Sequence, residues 1–283
     1  MKNSDINIRD PFVLCKDGVY YMYGTRANNF GRLTNGFDVY ESRDLENWSE
    51  PKEVFNSNKF GLNTCVNWAP EVHEYEGSYY MFATFTKENG LRGTYVLRSN
   101  SPDGNFEPHS NGAVTPFEWE ALDGTFYVED GIPYCVFCHE HTQILDGDVC
   151  YVELSKDLKS SVGSPVHLFN ASSFLNKTAT EESHNVTDGP FLYKKSDNTL
   201  LMIWSTVKDR NYCQCVTKSS NGKINGEWKH LDPIFTNDGG HGMIFKDFNG
   251  NLKLTLHSPN IQLEEKPIFF DIEETENSIA IKK

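Results

Sequence analysis

Short apolar runs rich in Val, Ile, Tyr and Phe recur along the chain, cut by Gly, Asn and Asp, and helical periodicity is nearly absent. That pattern predicts strands and an all-β chain. The clearest units are five hairpins: 12–15 with 19–24, 72–75 with 78–84, 125–128 with 133–138, 191–194 with 199–205, and 243–246 with 251–257. Asp-Gly and Asn-Gly at these turns supply the positive φ that tight hairpins need. Each of the first four hairpins is followed by a third strand (37–42, 94–99, 149–155, 212–219), and edge segments such as 52–55 and 166–169 complete a four-stranded unit.

The first strand of every unit opens with similar local grammar: Arg9-Asp10-Pro11-Phe12-Val13, Trp68-Ala69-Pro70-Glu71-Val72, Leu122-Asp123-Gly124-Thr125-Phe126, Thr187-Asp188-Gly189-Pro190-Phe191 and Gly240-His241-Gly242-Met243-Ile244. Aligning positions 10, 69, 123, 188 and 241 gives spacings of 59, 54, 65 and 53 residues. Self-similarity at that period, with four strands per unit, predicts a five-bladed β-propeller, a single domain over residues 1–283. The polar stretch 170–186 breaks the pattern and reads as a loop on one face.

Composition narrows the partners. The 283 residues carry a net charge of −14, which disfavours nucleic acid and anionic membranes and suits a neutral or cationic substrate. Hydrophobic content of 38% with 13% aromatic residues is that of a globular chain. No apolar run reaches the length of a membrane span, and the polar start Met1-Lys2-Asn3-Ser4-Asp5 does not read as a signal peptide, so the expected location is the cytoplasm. The seven cysteines are scattered. Cys135 and Cys138 have CxxC spacing but lie on a strand, where their side chains face opposite ways, so buried free thiols are expected rather than a metal or redox site.

In a propeller the first strand of each blade lines the central channel, and the residues at its start gather at one mouth. Asp10, Asp123 and Asp188 should therefore converge there with His241. The ends of the second strands return to the same mouth and should bring Arg26, Phe85, Glu140 and Thr206 near it. Arg26 and His139 are candidate substrate contacts. Asp before Pro or Gly also caps turns, but three at equivalent repeat positions point to a site. Carboxylates sharing a pocket raise one another's pKa, so one ionised base and one protonated acid can coexist at neutral pH, as glycoside cleavage requires. Trp68 and Trp204 are either core residues or platforms for a sugar face.

Taken together and in order, these five blade starts resemble those of glycoside hydrolase family 43 across essentially the whole chain. The resemblance implies an inverting hydrolase of arabinofuranosides or xylosides on a five-bladed propeller, acting on a carbohydrate substrate. It implies Asp10 as general base and Asp123 as the residue that orients the acid and tunes its pKa. The family's acid is usually a Glu in Glu-Gly-Pro; here the matching residue is Asp188, one methylene shorter. That departure leaves Asp188, Glu140 or, more weakly, Glu181 or Glu182 as the acid, or else a propeller that only binds sugars. His241 matches a position that in some members helps hold calcium in the channel, mostly through water.

Overall fold

The computed structural model describes residues 1–26, 35–61 and 66–283. Five four-stranded antiparallel sheets follow one another along the chain. Blade 1 is β1 (Ile8–Lys16), β2 (Val19–Arg26), β3 (Phe37–Ser42) and β4 (Lys52–Phe55). Blade 2 is β5 (Asn67–Tyr75), β6 (Ser78–Thr86), β7 (Arg92–Ser99) and β8 (Glu107–Pro108). Blade 3 is β9 (Ala121–Glu129), β10 (Ile132–His139), β11 (Asp148–Leu154) and β12 (Ser161–Asn170). Blade 4 is β13 (Asp188–Lys194), β14 (Leu200–Lys208), β15 (Asn211–Ser219) and β16 (Trp228–His230). Blade 5 is β17 (Gly240–Lys246), β18 (Leu252–Ser258), β19 (Lys266–Glu274) and β20 (Ile279–Ile281). The sheets stand in a ring, a five-bladed β-propeller.

The turns form as expected. Asp17 and Gly18, Glu76 and Gly77, and Asp130 and Gly131 all take positive φ, the pairing that two-residue hairpins require. Apolar side chains fill the space between neighbouring blades. One cluster joins blades 5, 1 and 2, and others join 2 with 3, 3 with 4, and 4 with 5. Cys135 packs between blades 2 and 3 and Cys138 between blades 3 and 4, so the two thiols do face opposite ways. Cys213 and Cys215 are unbridged, with sulfurs 3.7 Å apart, and Cys65 lies outside the described residues. The 170–186 stretch is not all loop: Asn170 ends β12, and Ala171–Leu175 forms one helical turn.

Every first strand begins earlier than the hydrophobic pattern suggests and carries a β-bulge just where the repeated motif lies. The bulged residue takes positive φ in all five blades: Asp10, Ala69, Asp123, Gly189 and His241. Each is followed by Pro or Gly, at 11, 70, 124, 190 and 242. The fourth blade's equivalent of Asp10 is thus Gly189, not Asp188, and the true spacings are 59, 54, 66 and 52. Asp188 sits one place earlier, opposite Ser205, as Arg9 sits opposite Thr25.

The bulges knit the ring together. Four of the five bulged residues donate their N–H to the second strand of the preceding blade. Ala69 donates to Thr25 Oγ1 (2.7 Å), Asp123 to Thr84 Oγ1 (2.9 Å) and His241 to Ser205 Oγ (2.7 Å). Asp10 donates to Nδ1 of His257 (3.2 Å), which closes the circle from blade 5 to blade 1. The acceptors occupy one register position, and in blade 3 that position is Cys138. A thiol is a weak acceptor, and the N–H of Gly189 goes instead to the Asp123 carboxylate (3.2 Å). These donors are buried, so leaving any one unpaired would cost about 1–3 kcal/mol. Arg9 and Glu265 add a partly buried ion pair of 2.8 Å across the closure.

Candidate active site

One mouth of the ring opens into a cavity of about 410 Å³ whose walls include Asp10, Asp123, Asp188, Glu140, His241 and Trp68. Four carboxyl groups from three blades therefore meet, as the repeat predicts. Arg9, Arg92, His141, Tyr212, Asn260 and Gln262 also face it.

Asp10 is held from several sides. Thr25 Oγ1 donates to its Oδ2 at 2.6 Å, and Nδ1 of His241 lies 3.1 Å from its Oδ1. Burial opposes ionisation of Asp10, but the positive field of His241 and Arg9 with the Thr25 hydrogen bond outweighs it, and the pKa falls below the ordinary aspartate value. Burial drives His257 down to about 3, so its ring is neutral and its Nδ1 accepts the Asp10 N–H. The proton then sits on Nε2, 3.3 Å from Asn260 Oδ1.

Asp123 and Asp188 are displaced the other way. Burial raises Asp123, and the charges of Asp188 and Asp10 add to it, against the pull of His241. Burial likewise raises Asp188, with the charge of Glu140 the next contribution, to about 6. Two such carboxyls beside a depressed Asp10 share a proton at near-neutral pH, and the pair titrates together. Tyr212 from β15 donates to Asp188 Oδ2 at 3.0 Å and lies flat against His257, ring centres 5.6 Å apart. Its role carried no sequence signal, because it comes from a third strand.

Glu140 follows β10 directly and is buried, with Oε1 2.8 Å from Nε2 of His141. Glu181 and Glu182 are exposed and do not line the cavity. Trp68 lines it, with the Arg92 guanidinium 5.4 Å from its ring centre. Trp204 is fully buried against Phe169 and Phe174, a core residue.

Arg26 and His139 do not line the cavity, for one shared reason. Each follows the register position that faces the next blade, Thr25 or Cys138, and successive strand residues point to opposite faces. Arg26 pairs with Asp38 (2.5 Å) and Glu53 (3.3 Å), whereas His139 stacks on Trp119 with ring centres 4.1 Å apart. Phe85 and Thr206 follow Thr84 and Ser205 in the same way: Phe85 is core, and Thr206 donates to the Val186 carbonyl.

Among the described residues His241 is surrounded by the propeller's own groups. The ring's Nδ1 faces Asp10, its edge abuts Gly189, and among the described residues no three His, Cys, Asp or Glu side chains gather to hold a metal ion. Among the same residues, no helix is long and apolar enough to cross a membrane.

The sequence profile of glycosyl hydrolases family 43 matches residues 5–266. No curated protein matches the chain. Among solved structures, an endo-arabinase from Bacteroides thetaiotaomicron VPI-5482 is 36% identical over 98% of each chain, with a TM-score of 0.89. An endo-1,4-beta-xylanase from the same organism shares the fold at 22% identity and TM-score 0.80, covering 100% of this chain and 96% of its own. An alpha-L-arabinofuranosidase from Lactobacillus brevis does so at 17% identity and TM-score 0.78, covering 100% and 98%. With the profile spanning nearly the whole propeller and the carboxyl cluster at its mouth, the chain belongs to glycosyl hydrolases family 43 and is a glycoside hydrolase.

Proposed function

We propose that the protein hydrolyses α-L-arabinofuranosyl linkages of plant-type polysaccharides or oligosaccharides with inversion at the anomeric carbon. The observation that carries this reading is the opposed electrostatics of one cavity: Asp10 is held ionised, while Asp188 and Asp123 are biased toward protonation. Asp10 takes a proton from a water as that water attacks the anomeric carbon. Asp188 gives its proton to the departing glycosidic oxygen. Asp123, hydrogen-bonded to Gly189 beside the acid, orients it and keeps its proton affinity high. Inversion requires base and acid to stand about 6.5–9.5 Å apart, leaving room for the water.

Asp188 is preferred to Glu140 as the acid because the Glu140 carboxyl is already engaged by His141, Oε1 to Nε2 at 2.8 Å. Arabinose is preferred to xylose because the 36% identical structure is an endo-arabinase, whereas the xylanase likeness is one of fold alone. Hydrolysis assays on 4-nitrophenyl α-L-arabinofuranoside, linear arabinan, 4-nitrophenyl β-D-xyloside and xylan test the reading. Turnover of arabinosides supports it, and preference for xylosides overturns the substrate. A second reading, a propeller that binds sugars without cleaving them, draws on the shortness of Asp188. It predicts arabinan binding with no turnover in the same assays.

A further inference from the structure

The cavity holds a fourth carboxylate that the proposed mechanism leaves without a task. Glu140 is buried and its backbone is anchored: its N–H donates to the Glu120 carbonyl at 2.8 Å, and its own carbonyl accepts from Gln143 at 3.0 Å. Its Oε1 meets Nε2 of His141, whose Nδ1 lies 3.1 Å from Nδ1 of His184. With Nε2 of His141 donating to Glu140, this chain is satisfied when His141 carries both protons and His184 accepts. Burial opposes charge on His141, but the hydrogen bond and charge of Glu140 prevail and raise its pKa. The pair thus sets a carboxyl group on the cavity, backed by two imidazoles.

We propose that Glu140, seated on the cavity and paired with His141, is a positioning residue whose negative charge holds the proton on Asp188. This rests on Asp188 being the acid. Other charges facing Asp188 are His241 from β17, which opposes protonation, and Asp10 from β1, which favours it; Tyr212 from β15 donates a hydrogen bond. Asp123 from β9 feels the charge of Asp188. Arg92 from β7 faces His141 but is engaged by Glu120 and Thr142. Glu140 is the largest of the charges acting on Asp188, and it supplies to the short acid a like-charge neighbour beyond the Asp123 partner.

The test compares Glu140→Gln with Asp188→Asn. Acid catalysis is lost as pH rises through the pKa of the acid, so removing a neighbouring anion moves the basic limb of kcat downward, by about one pH unit for a strongly coupled pair. Glu140→Gln should show that shift, with about a tenfold loss of kcat above the limb, KM little changed, and the wild-type dependence on leaving group. Asp188→Asn should instead lose far more on arabinan than on an aryl arabinoside with an acidic leaving phenol. An unmoved limb in Glu140→Gln overturns the proposal, as does a loss that deepens with poor leaving groups, which would make Glu140 the proton donor. Infrared titration of the carboxyl band absent from Asp188→Asn gives a reading independent of turnover. Its midpoint should fall in Glu140→Gln. A fixed midpoint overturns the proposal, whereas a lowered midpoint in a protein that cleaves no glycoside overturns only the assignment of function.

Discussion

Replacing Thr25 by valine removes one hydroxyl and almost no volume, yet that hydroxyl serves both the ring and the base. It accepts the N–H of Ala69 at 2.7 Å, which seats blade 2 on blade 1, and donates to the Asp10 carboxylate at 2.6 Å. Thr25 is buried, so water cannot replace either bond. The orphaned Ala69 donor should cost about 1–3 kcal/mol and the lost bond to a charged acceptor about 1.5–3 kcal/mol. Because both bonds depend on one group they do not add fully, and a total near 3 kcal/mol is expected. The sign for Asp10 follows from what is lost. A donor to the carboxylate favours the ionised form, so its removal raises the folded-state pKa. The stability that a depressed Asp10 contributes is present above its unfolded pKa and is lost as pH falls through its folded pKa, so Thr25→Val should surrender part of it at neutral pH. Urea unfolding at pH 7 measures the stability, and the acid limb of kcat/KM reports the base and should move upward. Thr25→Ser, which keeps the oxygen, should lose less than about 1 kcal/mol. Equal stability of Thr25→Val and wild type, with an unmoved acid limb, would refute the linkage between ring and base.

Gly189→Ala should destabilise the fold by about 2 kcal/mol or more, because φ there is +49° and the new Cβ would fall 2.4 Å from the His241 ring; the urea midpoint checks this. Trp204→Ala should cost about 3–5 kcal/mol of stability as a core deletion. Trp68→Ala should lose much less stability but raise KM for arabino-oligosaccharides about tenfold, equal to about 1.4 kcal/mol of binding. The wild-type pH profile should be displaced to acid: kcat declines above about 6 as Asp188 loses its proton, while the low pKa of Asp10 keeps the base active below the ordinary aspartate range.

Much of this architecture is legible in the sequence, and the exceptions have physical causes. Hairpin turns and apolar alternation report where strands lie, because positive φ and burial restrict residue choice directly. A bulge shifts the side-chain phase by one residue without changing composition, and so it is invisible to alternation. That phase shift misaligned Asp188 with Asp10, whereas Arg26, Phe85, His139 and Thr206, on the second strands, miss the cavity because each falls on the other side of the strand alternation. A signal was present: the Pro or Gly after each bulge, at 11, 70, 124, 190 and 242, places Gly189 in the repeat and Asp188 just before it. Thr25, Thr84 and Ser205, recurring at one place on the second strands, could likewise have been read as a ring of acceptors. Tyr212 and Arg92 could not, since their approach depends on blade packing rather than on local pattern.

The central claim is single-displacement chemistry with Asp10 as base, and the anomer of the first product tests it most directly. Proton NMR of arabinan hydrolysis should record β-L-arabinofuranosyl reducing ends before mutarotation. Initial release of the α-anomer would contradict the account, because retention requires a covalent intermediate on a carboxylate rather than attack by a water that Asp10 activates.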